Sequence, residues 1–598
     1  MILIRKLAPL LLFTAALTFV IDATAGNGNQ LADHPSPYLA MHASDPVHWR
    51  SWQGDVFAEA RARNQLVLVS VGYFSCHWCH VMQRQSYRHP QTADFLNRHF
   101  LAVKVDRELQ PDLDRRLIEF VRQVRGVAGW PLNVFLTPEG YPLTGFTYLP
   151  QPDFLRVLQQ LDRQWQTGHV AMSATAREYF DDSAQYHDRF ADLQLPAERL
   201  LVDFITQTMQ TADVLQGGLG DPSKFPNVPQ MQALLDSLAQ SPERADEIAE
   251  FVRLTLDNMA ALNLQDHVNG GFFRYTTDPD WQTPHFEKML YDNAMLASLY
   301  LQAERLWPAQ GYAEIALRTL DFVETGLRHP RGGYMSSVSA VDRDNREGGA
   351  YLWTSRRLEA LLSVPELEHL QGRWQQQTLG DALLLRPPAD IKPADYGTHD
   401  RAILRKLRRQ AELAMPVDNK RLASWNAMML SALTLAADFD DRFESRARIQ
   451  FSNMREYFFS DSRLLRLAAN ADVATATFED YANTAQAFLR FGERFQQADA
   501  IRLSRQLTEQ AYRLFFRDGH WQSAIPAQLP LMRDQRALED QVLLSPQTLW
   551  LATALTLPEL DAEIRASASK QLNRVTRDMF DRPYFYGSLI LLRVARSE

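Results

Sequence analysis

A chain of 598 residues with 46% hydrophobic and 11% aromatic content can build more than one core, so two or more domains are expected. A net charge of −9, with no basic run, argues against a nucleic-acid partner. Two cysteines in a chain of this size exclude a disulfide framework.

Met1–Ala25 reads as a signal peptide. Arg5 and Lys6 start it, Leu7–Ile21 is the apolar segment, and Ala23-Thr24-Ala25 fits the small-x-small rule for cleavage after Ala25. The apolar segment is short for a membrane span and contains Pro9. The mature protein is therefore expected to be periplasmic or secreted, with no stable membrane anchor. An uncleaved anchor is the alternative.

Residues 27–168 read as a first domain. His34-Pro35-Ser36-Pro37-Tyr38-Leu39 is turn-rich, and Phe57–Arg63 has helical character. Leu66–Val71 is a strand, Cys76–Tyr87 a helix stopped by Pro90, and Gln91–His99 a further short helix. Phe100–Val105 is a strand ending in Asp106-Arg107-Glu108, and Pro111–Arg125 is a helix with Pro in its first turn. Gly129-Trp130-Pro131 leads into strand Leu132–Leu136. A turn over Thr137-Pro138-Glu139-Gly140 then returns the chain as strand Thr144–Tyr148, before helix Phe154–Trp165. The order β–α–β–α–β–β–α is that of a thioredoxin fold.

The cysteines form the string Cys76-His77-Trp78-Cys79-His80, at the junction of a strand and a helix. A helix N-terminus offers unpaired N–H groups and the positive end of the dipole. A thiolate there is stabilised and nucleophilic at neutral pH. Cys76 would attack a disulfide, and Cys79 would resolve the mixed disulfide. His77 would help to stabilise the Cys76 thiolate, and Trp78 flanks the pair. Three other readings stand: a static disulfide, half of a zinc site, and c-type haem attachment, because the string is also Cys-x-x-Cys-His. Pro131 before a core strand fits the cis-Pro that faces the redox pair in thioredoxin folds. With Trp130 it would shape the substrate groove, and with the strand order it favours redox chemistry over haem. No cofactor is called for by that chemistry.

The strings SPYLAMHASDPVHW, GYFSCHWCHVM, VKVDRELQPDLD and GWPLNVFLTPEGYPL resemble the N-terminal part of the spermatogenesis-associated thioredoxin-like, or DUF255, family. The resemblance runs through most of residues 29–150. It implies a thioredoxin-like domain fused to a large α/α toroid, hence a multidomain α/β plus all-α fold class.

Residues 169–598 are helical almost throughout. Candidate helices are 197–211, 230–239, 243–262, 291–306, 313–326, 355–362, 402–414, 423–438, 445–459, 481–496, 498–516 and 545–555, about six hairpins. Gly217-Gly218, Gly270-Gly271 and Gly332-Gly333 each follow a helix at about a hairpin's spacing, which suggests a ring or solenoid. GGLGDPSKFP, GGFFRYTTDPDWQTPHFEKMLYDNA, NKRLASWNAMMLSAL and FEDYA resemble the family's toroid half and imply an (α/α)6 ring of the six-hairpin glycosidase and sugar-epimerase type. Two strings depart from the family's pattern: Val341-Asp342-Arg343-Asp344, and Leu544-Ser545-Pro546-Gln547.

The densest polar run is Asp278–Asp292, with Asp278, Asp280, Trp281, His285, Glu287, Lys288, Tyr291 and Asp292. His285, Lys288 and Asp292 are expected near one helical face. Trp281 could stack on a sugar, and His285 with the carboxylates could do acid–base work. Asp418, Trp425, Asn426, Glu479 and Asp480 are further pocket candidates. The plainer reading is that these groups cap or pair at a helix start. Together the residues indicate an exported thiol–disulfide oxidoreductase acting on protein thiols or disulfides, with a toroid that binds a carbohydrate or a partner. The alternatives are a sugar-processing toroid with a regulatory redox pair, and a non-catalytic binding protein.

Overall fold

A computed structural model of the chain describes residues 28–596, apart from 53–55, 182–188, 190, 221, 389–395 and 525–538. The expected signal peptide lies outside the described residues. Among those described, no helix is long and apolar enough to cross a membrane.

The first domain is a five-stranded sheet: β1 (Arg50–Ser51), β2 (Leu66–Gly72), β3 (Phe100–Asp106), β4 (Leu132–Leu136) and β5 (Pro142–Phe146). Its order is β1-β3-β2-β4-β5. β1, β3 and β2 run parallel, and β4 and β5 are antiparallel, with Val69 opposite both Val103 and Val134. β2 and β3 are buried at every position, as expected for apolar strands covered on both faces. Leu66 and Leu68 point into the main core, whereas Val67, Val69 and Val71 point into a second one. The returning strand sits two residues earlier than the pattern suggests, and β1, only two residues long, left no periodicity to read. The bond between Trp130 and Pro131 is cis. Helix Gln151–Asp181 leads into the second domain, with a kink at Gly168.

The second domain is a closed ring. Inner helices Val228–Ser237, Leu290–Leu306, Ala423–Ala436, Phe478–Arg494, Pro546–Thr556 and Gly587–Ala595 each pack on the next, and the last packs on the first. Each is backed by an outer helix: Ala245–Ala261, Tyr312–Gly326, Arg442–Tyr457, Ala498–Phe515, Ala562–Leu572 and, behind the last, Ala197–Gln210. Two of the inner helices, Ala423–Ala436 and Pro546–Thr556, are apolar nearly all round because they are walled in on every side. The dozen helices read from sequence had the right number but two wrong members. Segments 355–362 and 402–414 belong instead to a satellite with its own core of Trp353, Leu358, Leu370, Trp374, Ile403 and Leu407. Helices 562–572 and 587–595 complete the ring in their place. The first is Ala/Ser-rich with little apolar pattern, and the second is a short apolar run that reads equally as a strand.

The Gly-Gly turns join outer to inner helices with both glycines at positive φ. An inner-helix asparagine clamps each of two of them. Asn293 Oδ1 accepts from Phe272 N–H at 2.8 Å, and Asn426 Oδ1 accepts from Tyr334 N–H at 2.8 Å. A Cβ on Gly271 would sit 2.7 Å from Asn293 Oδ1, so only glycine admits the clamp there.

The first domain covers the ring face where inner helices begin. Residues Asp106–Gln110, from the last residue of β3 onward, form a plug. Lys420 Nζ pairs with Asp106, with Glu108 at 3.0 Å and with Asp418 at 2.8 Å, all four buried. Arg466 donates to Glu108 O at 2.8 and 2.9 Å and pairs with Asp480 at 2.7 Å. One continuous apolar core runs through both domains.

Candidate functional site

β2 ends at Gly72, and Tyr73–Ser75 turn the chain into helix His77–Met82. Cys76 is the N-cap, and its Sγ accepts the Cys79 N–H at 3.2 Å. The two cysteines are joined as a disulfide. His80 Nε2 donates to Phe74 O at 2.8 Å and holds the turn. Cys76 and Cys79 are only 3% and 1% exposed, so the sulfurs are covered, whereas Trp78 is 46% exposed and lies beside Tyr148.

Toroid residues pack against the turn and helix that carry the pair. Ala340 N–H donates to Ser75 O at 3.2 Å, and Arg84 donates to Asn345 at 3.4 Å. His77 Nε2 lies 3.4 Å from Glu347. His285 stacks on Tyr275, and its ring centre is 6.3 Å from that of His77. His285 Nδ1 is 3.1 Å from Glu287 Oε1, and Ser75 Oγ donates to Glu287 Oε2 at 3.1 Å. Tyr73 donates to Glu287 at 3.1 Å, while Arg274 pairs with Glu287 at 3.5 Å and donates to the Tyr73 hydroxyl. The toroid residues His285, Glu287 and Glu347 thus bracket Cys76 through its neighbours Ser75 and His77.

The charges follow from these contacts. Burial pushes Glu287 up, but Arg274, His285 and Tyr73 together outweigh it and hold the carboxyl at about 2. Burial, then repulsion from His285 and Arg84, lowers His77 to about 4. His77 is therefore neutral near pH 7, and any help it gives the Cys76 thiolate comes without a positive charge. Beside the pair, Trp130 meets Tyr73 edge-on, donates to Asp114 at 2.7 Å and carries the Arg107 guanidinium 3.8 Å above its ring. Pro131 follows at the foot of β4.

The other toroid candidates scatter. Asp278 shapes a turn, accepting the N–H groups of Asp280, Gln282 and Thr283. Trp281 is fully buried and donates to Gln216 O at 2.8 Å, so it has no face for a sugar. Lys288 is buried against Asp266 at 2.6 Å. Asn426 is the turn clamp, and Asp480 caps its own helix and holds Arg466. Glu479 accepts from Ser424, and Asp418 belongs to the plug. Trp425 packs on Tyr291. Asp292 is buried with Oδ2 unpartnered. The helix starts only at Leu290, so the expected shared helical face of His285, Lys288 and Asp292 does not exist. Sequence reasoning missed Tyr73, Ser75, Arg274 and Glu347. Arg274 and Tyr73 are 201 positions apart, and only the docked domains bring them together.

The cysteine pair follows the central strand β2 of the five-stranded sheet and opens a helix, the local setting read from the sequence. Among the described residues no group of three or more His, Cys, Asp or Glu is arranged to hold a metal.

A family model described as a protein of unknown function, DUF255, matches residues 28–182. Spermatogenesis-associated protein 20 of Homo sapiens is 31% identical over 555 residues, covering 82% of this chain and 70% of that protein. Its Mus musculus counterpart is 30% identical over 577 residues, covering 84% and 72%. Among solved structures, a sugar epimerase from a ruminal bacterium covers 67% of this chain and 98% of its own, at 13% identity and a TM-score of 0.43. A DsbH oxidoreductase covers 20% of this chain and 85% of its own, at 20% identity and a TM-score of 0.17. With a DUF255 thioredoxin-like region leading into a six-hairpin toroid, the chain belongs to the spermatogenesis-associated protein 20 family.

Proposed function

We propose that the protein is an exported thiol–disulfide oxidoreductase whose toroid covers and helps to build the redox site. The observation that carries this is Cys76 at a helix N-cap, bonded to Cys79. An incoming thiolate would attack Cys76 Sγ and release Cys79 as thiolate. In the reverse step, Cys79 would expel the bound sulfur and close the disulfide. Protein thiols or disulfides are the substrates, in the periplasm or outside the cell. Because the sulfurs are covered, the toroid loop around 339–349 must swing off Ser75 and His77 first. The toroid remains a candidate to bind a carbohydrate or a partner. Trp281, Lys288, Asn426 and Asp480 are tied into the ring's own structure, and His285 and Glu287 face the redox pair. These placements favour a supporting role over a separate sugar-processing site.

The test is a redox titration of the mature protein in glutathione buffers, read by thiol trapping, with an absorbance scan of the same sample. A reversible two-electron couple lost in Cys76→Ser is the expected result. A pair that never cycles overturns the reading, and a Soret band would replace it with haem attachment.

A further inference from the structure

Tyr38, in the Ser36-Pro37-Tyr38-Leu39 turn of the first domain, is fully buried, and its hydroxyl has no hydrogen-bond partner. Native structures rarely keep a buried hydroxyl in that condition without a reason. Its surroundings supply one. A Cβ built on Gly72, at the end of β2, would lie 2.2 Å from Tyr38 Oη and 2.8 Å from Cys79 Sγ. The phenol oxygen and the Cys79 sulfur therefore lie no more than about 5 Å apart, both against the face of Gly72 where a side chain would collide with them. The ring is held in place by His42, edge-on at 5.1 Å, and by the Lys104 ammonium 5.6 Å from its centre. Burial, reinforced by Tyr87, Asp106 and Asp45, keeps the phenol protonated and so a donor. A disulfide sulfur is a poor acceptor, whereas a thiolate is a strong one.

Resting on the thiol–disulfide reading above, we propose that Tyr38 is the catalytic hydrogen-bond donor to Cys79 whenever the disulfide opens. An incoming thiolate forms a bond to Cys76 Sγ. The Cys76–Cys79 bond breaks, and its electron pair leaves on Cys79 Sγ. Tyr38 O–H donates to that sulfur and keeps its own proton. The bond exists only in the mixed-disulfide and reduced states, so it favours them over the closed pair.

Tyr38→Phe keeps the ring and removes the donor. In glutathione buffers its equilibrium constant for reduction should fall about tenfold, equivalent to a potential about 30 mV more negative. The oxidised variant should melt no lower than the oxidised parent, because it loses only an unpartnered hydroxyl. The reduced variant should melt lower than the reduced parent. A purely structural role would lower both forms alike and leave the constant unchanged, which would overturn the proposal. 3-Fluorotyrosine at position 38, a stronger donor of nearly the same size, should move the constant the other way, and no shift there counts against the proposal even if the Phe variant fails to fold. A parent whose pair never cycles would instead overturn the thiol–disulfide reading itself.

Discussion

Arg274 stands between two buried carboxyls that it cannot serve equally. Glu287 has Arg274, His285, Tyr73 and Ser75 around it and stays ionised. Asp292 has one oxygen unpartnered, and burial pushes its carboxyl up to about 7 against the pull of Arg274. In the unfolded chain Asp292 returns to an ordinary value near 4. The folded state therefore binds the extra proton, and the stability that Asp292 contributes is full below about pH 4 and is lost as pH rises through 7. Asp292→Asn should flatten that decline and raise stability at pH 8, by up to about 4 kcal/mol, in urea unfolding followed across pH. An unchanged pH profile would mean that Asp292 is ionised in the fold. The polar run 278–292 was visible in sequence, but its sorting was not. Residues 284–285 and 288–289 are short strands, so His285 and Glu287, two apart, meet His77 and Ser75 beside Cys76 while Lys288 turns to Asp266. A helical period, applied where a strand period holds, groups the wrong side chains.

Among the elements, the loop after the third Gly-Gly turn rests on the turn and helix start that carry the cysteines, through Ala340 on Ser75 and Glu347 on His77. Asp342 organises it, accepting from the N–H groups of Asp344 and Arg346 at 2.9 Å and from the Arg346 guanidinium at 2.7 and 2.9 Å. Asp342→Ala should release it by local opening, and reduction of the disulfide by a small thiol should speed up about threefold or more in stopped-flow tryptophan fluorescence. An unchanged rate would show that the loop does not limit access. The thioredoxin strands and their flanking helices were legible because apolar runs, Pro stops and turn strings all agreed. Five of the six inner helices were legible in the sequence, and two Gly-Gly turns, at 217–218 and 270–271, stand shortly before the first two of them. The partners of those turns were not. Asn426 stands among pocket-lining residue types in sequence, yet its amide is spent on Tyr334, the residue after Gly333.

At the scale of the whole molecule, the two domains are joined by charge as well as by apolar contact. Lys420 pairs with Asp106, Glu108 and Asp418 in a buried site, where burial, against the pull of Lys420, pushes the Glu108 carboxyl up to about 8. Lys420→Met would leave three buried carboxyls with no cation and should cost about 3–5 kcal/mol in urea unfolding at pH 7. The loss should shrink at pH 5, because burial raises the Glu108 and Asp418 carboxyls toward the protonated form. A loss that does not change with pH would place the docking energy in apolar contact alone. No sequence pattern announces this plug, because its members are 314 positions apart. The ring carries a further consequence, for the order of folding. Its closing contact sets Gly587–Ala595 against Val228–Ser237, so almost the whole toroid must be present before the first and last inner helices can meet. The sheet, by contrast, is complete by residue 146. Loop closure on that scale is slow compared with local pairing. A nascent chain would thus hold a finished sheet, its acidic plug and both thiols in the open for as long as the ring takes to close, which makes that interval the period of greatest exposure to mispairing.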